Sequence, residues 1–76
     1  MGMETNEKIK AYRKIAKLTQ CQLAEKCDMH ITEISVYERG VRNPTLTTIA
    51  RIAIGIGVHP SKLLPDWFLT ERIGGQ

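Results

Sequence analysis

The fold is indicated most clearly by two stretches of sequence, Thr19-Gln20-Cys21-Gln22-Leu23-Ala24 and Ile34-Ser35-Val36-Tyr37-Glu38-Arg39-Gly40. Thr19 is a good helix cap, and Gln22 follows three positions later, which is the spacing of a capping box. The second stretch ends in a glycine, which accepts the positive φ common just after a helix. The sequence therefore predicts two short helices joined by the turn Cys27-Asp28-Met29-His30.

Helical spacing of apolar residues around these stretches predicts an all-α fold of five helices. Helix 1 should span about Glu7 to Ala16, helix 2 should begin after Thr19, and helix 3 should run from about Ile31 to Arg39. Helix 4 should follow a cap near Thr45 and break at Gly55-Ile56-Gly57, and the residues on its buried face should be Leu46, Ile49, Ile52 and Ala53. Helix 5 should start at Pro60 and close at Pro65. At 76 residues we expect a single domain, 1–76, with its core in 7–64 and a tail of 65–76.

The charge of the chain is concentrated in the part assigned to the two short helices. The net charge is +3, and Lys8 to Arg51 contains nine basic and four acidic residues, whereas the flanks contain two basic and four acidic ones. This distribution favours binding to phosphates. Ordinary solvated lysines on helix surfaces would give the same composition.

Several other classes of function are not supported by the sequence. Cys21 and Cys27 lie six residues apart and point to different sides, so we expect free thiols and a reducing, cytoplasmic location. No apolar run is long enough for a membrane span. Cys27 and His30 have no second pair of ligands at matching spacing, so we expect no metal site. Without a nucleophile elbow, phosphate loop or paired carboxylates, we expect no enzyme activity, cofactor or small-molecule ligand.

A charged side chain falls on the apolar stripe of each of two helices. Arg13 shares the stripe of Ile9 and Tyr12, and Glu38 shares that of Ile34. An unpaired buried charge is very costly, so we expect Arg13 and Glu38 to pair and to tie helix 1 to helix 3. The alternative is that both long side chains reach solvent.

The motifs Thr19-Gln20-x-x-Leu23-Ala24 and Ile34-Ser35-x-Tyr37-Glu38-Arg39-Gly40-x-Arg42-Asn43-Pro44 resemble the lambda-repressor-like helix-turn-helix family, also called the Cro/C1 or xenobiotic-response-element type. The resemblance covers about Ile9 to Leu64. It implies a five-helix DNA-binding domain that acts as a symmetric dimer on a palindromic operator, with an ion pair at Arg13 and Glu38. It also suggests a self-contained regulator, such as a restriction–modification controller or a small phage repressor.

The resemblance implies roles for individual residues. Base-reading positions fall on His30, Ile31, Thr32, Ser35 and Val36, and phosphate-binding positions fall on Gln20, Arg39, Arg42 and Asn43. Ile31, Thr32 and Val36 cannot make bidentate contacts to purines, so we expect thymine methyl groups, hydroxyl contacts and DNA shape to contribute. The family's usual glycines after helix 1 and in the turn are replaced by Lys17 and Asp28.

The expected partners are an inverted repeat of double-stranded DNA and a second copy of the chain. We expect a homodimer interface at Leu64, Trp67, Phe68 and Leu69, because these residues follow the core and would expose an apolar patch in a monomer. The alternative is that Trp67 and Phe68 cover the chain's own core. The competing function is a protein-interaction, adaptor or antitoxin module with the same fold, which the basic residues around helix 3 disfavour.

Overall fold

The computed structural model describes residues 4–65, and within this range all regular structure is helical. The elements are α1 (Thr5–Ile15), α2 (Gln20–Cys27), α3 (Ile31–Glu38), α4 (Leu46–Ile56) and a single 3-10 turn at Pro60–Leu63. The all-α prediction is confirmed, but the predicted count of five helices is not matched, because residues 4–65 contain four α-helices. Leu64 is extended because it precedes Pro65, so the segment between the two prolines has room for only one turn.

α1 begins two residues earlier than the sequence analysis predicted. Glu4 is its N-cap, and Glu7 occupies the third helical position, where Glu7 Oε1 accepts a hydrogen bond from the backbone N–H of Glu4 at 3.0 Å. Glu7 therefore completes a capping box instead of starting the helix. At the other end, Ala16 is the C-cap and lies outside α1.

α4 continues through Gly55, where the sequence analysis had placed a break, and it ends at Gly57 with φ +96°. Gly55 allows α4 to approach α2 closely. A Cβ atom at this position would lie 2.5 Å from Cys27 Sγ and 3.4 Å from Leu23 Cδ1. Gly55 therefore serves the packing of two helices, and the termination of α4 depends on Gly57.

Every described element contributes to one apolar core. α2 packs on α3 and α4, α1 packs on α3, and the Pro60–Leu63 turn packs on α1 and α4. The fully buried side chains are Ile9, Leu23, Ile34, Ile52 and Leu63. Leu46 was predicted on the buried face of α4, but it is 64% exposed because it starts the helix on the side of Ala50 and Ile54.

Among the described residues, two that are not glycine have positive φ, and both follow a helix. Asp28 has φ +56° as the C-cap of α2, and Lys17 has φ +61° after α1. The left-handed conformation costs a non-glycine residue about 1–2 kcal/mol. At Lys17 this conformation is held by two hydrogen bonds of the next residue, Leu18. The Leu18 N–H donates to Arg13 O at 3.1 Å, and Arg13 Nη1 donates to Leu18 O at 2.8 Å. Within residues 4–65 no helix is long and apolar enough to span a membrane.

Candidate nucleic-acid interface

α2 and α3 share a buried side and leave one side of α3 facing outward. Leu23, Ala24 and Cys27 of α2 are buried against Ile34 and Tyr37 of α3 in the same cluster. The turn between the helices is also held from α4, where Arg51 Nη2 donates to the backbone carbonyls of Cys27 at 2.7 Å and Asp28 at 2.9 Å. The turn before α3 is thus held at its α2 end by a side chain of α4.

The structure contains the ion pair between Arg13 and Glu38. Arg13 Nε donates to Glu38 Oε2 at 2.6 Å, and Arg13 Nη2 donates to Glu38 Oε1 at 3.0 Å. The side chains are 11% and 2% exposed, so neither charge reaches bulk solvent. The bidentate geometry joins α1 to the last turn of α3.

Gln20 is a third member of this network, which the sequence analysis did not foresee. Its Nε2 donates to Glu38 Oε1 at 3.0 Å, so the first residue of α2 is tied to the last residue of α3. Local spacing gives no signal of a bond across 18 positions. The backbone N–H groups of Gln20 and Cys21 have no acceptor within residues 4–65, so the start of α2 presents two free donors.

The outward face of α3 begins with a histidine cap. His30 Nδ1 accepts a hydrogen bond from the backbone N–H of Thr32 at 3.2 Å and lies 3.0 Å from Thr32 Oγ1. Glu33 Oε1 accepts from the backbone N–H of His30 at 3.2 Å, which completes a capping box. This local network fixes the first turn of α3.

The five residues that were expected to read bases differ in exposure. His30, Ile31 and Thr32 are exposed, whereas Ser35 is half-buried. Val36 is also half-buried and packs against the core, so part of its side chain cannot contact DNA. The exposed end of α3 is therefore its N-terminal turn.

The loop after α3 carries the three remaining residues that were expected to bind phosphate. Arg39 is the C-cap of α3 and lies just outside the helix, one residue beyond the observed end. Arg39, Arg42 and Asn43 are exposed, and their side chains form no hydrogen bond or ion pair with residues 4–65. Asn43 also lines a cavity of about 260 Å³ together with Leu46 and Leu64.

α4 exposes an apolar stripe that the sequence analysis missed. Leu46 and Ile54 are 64% and 74% exposed, and Ala50 lies between them at helical spacing. The spacing i, i+4, i+8 was a readable signal of this stripe. Of the expected dimer residues, Leu64 is half-buried against the core and its carbonyl accepts from Lys8 Nζ at 2.7 Å. The other three, Trp67, Phe68 and Leu69, lie outside the described residues.

The two cysteines occupy different environments. Cys21 is exposed and Cys27 is buried, and both are free thiols. Burial raises the pKa of the Cys27 thiol, and the nearby Arg51 guanidinium opposes this shift. In residues 4–65 no group of three or more His, Cys, Asp or Glu side chains converges in a way that could hold a metal ion.

Comparison with known proteins identifies the family. A family profile described as Helix-turn-helix matches residues 9–63, which include α2, the turn and α3. The chain belongs to this helix-turn-helix family, of the Cro/C1 type. The matched range agrees with the resemblance inferred from the motifs.

Relatives of this helix-turn-helix protein include regulators from phage and bacteria. The chain is 39% identical over 70 residues to the immunity repressor protein of Bacillus phage phi105, covering 92% of this chain and 49% of the repressor. It is 45% identical over 49 residues to the control protein C.BamHI of Bacillus amyloliquefaciens, covering 64% of this chain and 60% of that protein. The chain thus spans about half the length of the first relative and three fifths of the second.

A solved structure with the same fold is the restriction-modification controller protein C.AhdI from Aeromonas hydrophila. It superposes with a TM-score of 0.76 at 25% sequence identity, and the match covers 79% of this chain and 91% of C.AhdI. The arrangement of α1 to α4 is therefore shared with a controller protein.

Proposed function

We propose that this protein is a sequence-specific DNA-binding regulator of transcription, which acts in the cytoplasm as a homodimer on an inverted-repeat operator. The observation that carries the proposal is the outward side of the α2–turn–α3 unit. There the N-terminal turn of α3 is exposed and carries hydrogen-bonding side chains. The start of α2 adds two N–H donors, and Arg39 and Arg42 add two guanidinium groups, and none of these groups has a partner within residues 4–65.

Phosphate binding is assigned to two sides of α3. Gln20 and Cys21 offer backbone N–H groups to one strand, and the second N–H of the Gln20 side-chain amide, which donates once to Glu38, could join them. Arg39, Arg42 and Asn43 would bind the backbone on the other side of the groove. Base edges would be contacted by side chains at the start and on the outer side of α3, namely His30, Ile31, Thr32, Ser35 and Val36.

Dimerisation is assigned to the apolar surface of α4 and the chain that follows the 3-10 turn. Leu46 and Leu64 line the same cavity, so the α4 stripe is continuous with the first residue of the interface expected from the sequence. Trp67, Phe68 and Leu69 remain part of the proposed interface on the sequence argument alone. An apolar surface of this kind is stabilised when a second copy covers it.

The relatives support regulation of transcription as the role, since two of them are named as a repressor and a controller of restriction–modification. The competing proposal, a protein-interaction module, would not need the exposed Arg39 and Arg42 after α3, which have no partner within residues 4–65. We therefore favour DNA as the main partner and do not propose enzyme activity.

Selection from random double-stranded oligonucleotides with the full chain tests the proposal. We expect enrichment of an inverted repeat with half-sites about 10 bp apart, or a multiple of that distance, centre to centre. Binding to the selected site should weaken steeply as salt is raised. Failure to enrich any sequence, together with salt-independent binding, would reject DNA binding and favour the protein-interaction module.

A further inference from the structure

We propose that His30 reads sequence with its Nε2–H group, which donates a hydrogen bond to the N7 atom of a purine, and that the cap of α3 fixes this polarity. The inference rests on the proposed DNA-binding function. It adds the direction of the hydrogen bond and the chemical identity of the acceptor to a residue that was expected only to lie near bases.

The polarity of the His30 ring follows from its bond to the backbone. Nδ1 lies 3.2 Å from the backbone nitrogen of Thr32, and a backbone N–H can only donate. Nδ1 must therefore be unprotonated. The single proton of a neutral imidazole is then on Nε2. The contact of 3.0 Å between Nδ1 and Thr32 Oγ1 fits the same tautomer, with the hydroxyl as donor.

The position of the ring directs Nε2 away from the protein. His30 is exposed, and within residues 4–65 no group forms a hydrogen bond with Nε2. The ring is anchored through Nδ1 to Thr32, which lies on the side of α3 opposite the buried Ile34 and Tyr37. The first residues of a helix that enters the major groove contact base edges, so Nε2–H is placed as a donor toward the groove.

Among the acceptors of the major groove, which also include guanine O6 and thymine O4, we assign the Nε2–H donor of His30 to a purine N7. Every base pair displays one purine N7 acceptor in the major groove, on one strand or the other. An N–H group that reaches the N7 position of one strand therefore distinguishes a purine from a pyrimidine on that strand, and it does not distinguish adenine from guanine. We expect His30 to impose a purine preference at one position of each half-site.

A second histidine with the same geometry supplies an internal control. His59 caps the 3-10 turn, where its Nδ1 accepts from the Ser61 N–H at 3.1 Å and lies 2.9 Å from Ser61 Oγ. His59 is exposed and lies outside the α2–turn–α3 unit. The two histidines should share one tautomer, and only His30 should affect sequence preference.

The tautomer can be measured without DNA. Ring nitrogen chemical shifts of the full chain at pH 8 should identify the Nε2–H tautomer at both His30 and His59. Assignment of the proton to Nδ1 of His30 would overturn the inference, because the ring would then present an acceptor.

The effect on sequence preference is tested with His30→Ser and His59→Ser in the same oligonucleotide selection. Serine is a good N-cap, so both variants should remain folded in urea unfolding. Wild type and His59→Ser should enrich the same site. His30→Ser should lose the purine preference at one position and bind the wild-type site about fivefold more weakly per half-site, as expected for one hydrogen bond.

A scan of the selected site with 7-deazapurines, which lack N7 but pair normally, tests the acceptor directly, and its wild-type arm does not depend on the folding of a variant. Wild type should lose about fivefold in affinity at the purine that His30→Ser no longer selects, and His30→Ser should bind the two oligonucleotides equally. The inference is overturned by equal losses in both proteins, by no loss in wild type, or by a uniform weakening in His30→Ser that indicates a phosphate contact. A wild-type protein that enriches no sequence would instead reject the proposed function.

Discussion

α3 and α4 bury their inner faces in the same core but differ in what they present outward. α3 buries Ile34 and places His30 and Thr32 on its exposed end, where a network of hydrogen bonds sets their geometry. α4 buries Ile52 and presents the apolar Ile54 to solvent. The inner faces of both helices follow from the need to remove apolar area from water. We propose that the outer faces serve different functions, since the hydrogen-bonding groups at the start of α3 suit base edges and the apolar face of α4 suits a protein surface.

The largest expected effect comes from releasing α3 from α1 and α2. Glu38 accepts hydrogen bonds from Arg13 and Gln20, so Glu38→Ala leaves the Arg13 guanidinium buried without its partner. We expect the free energy of unfolding to fall by about 3–5 kcal/mol, measured by urea unfolding.

The matched control for this prediction is Glu25→Ala, which removes a carboxylate from an exposed position on α2. That change should alter stability by no more than about 0.5 kcal/mol. If Glu38→Ala had an effect as small as the control, the ion pair could not be what holds α3 in place.

The next effect tests whether the outer face of α4 binds a second copy. Ile54→Asp should leave the fold intact, because Ile54 contributes little to the core, but it should convert the proposed dimer to a monomer in analytical ultracentrifugation. Loss of the second half-site contact should weaken operator binding roughly a hundredfold.

Ile15→Asp is the control for the α4 prediction, since Ile15 is 72% exposed at the end of α1 and lies outside the proposed interface. It should remain dimeric. A dimeric Ile54→Asp protein with normal operator affinity would place the interface on another surface.

Two features of the fold could be predicted from the sequence. The capping box at Thr19 was predictable because its signal lies within four residues, and it is present in the structure. The Arg13–Glu38 pair was predictable because a buried charge requires a partner, and only one opposite charge was found on a facing stripe. These arguments depend on local spacing and on the cost of burying a charge.

The remaining features depend on contacts between distant parts of the chain. Gly55 resembles a helix break in sequence, but the approach of Cys27 Sγ explains why a glycine is needed within α4. Glu38 Oε1 accepts hydrogen bonds from both Gln20 Nε2 and Arg13 Nη2. The positions of these residues in the sequence do not indicate that they share one oxygen. Lys17 adopts a positive φ without being a glycine because neighbouring hydrogen bonds hold the turn.

The most direct test of the central claim is to titrate the selected operator and a shuffled duplex with Thr32→Ala and Arg42→Ala over a range of salt concentrations. Both side chains are exposed, but Thr32 lies on the outer face of α3 and Arg42 lies in the loop after it. We predict that Thr32→Ala loses about 1–3 kcal/mol on the operator alone, whereas Arg42→Ala weakens both duplexes and lowers the salt slope by about 1. Equal weakening of both duplexes by Thr32→Ala, or no effect on the operator, would contradict the claim that α3 reads the sequence.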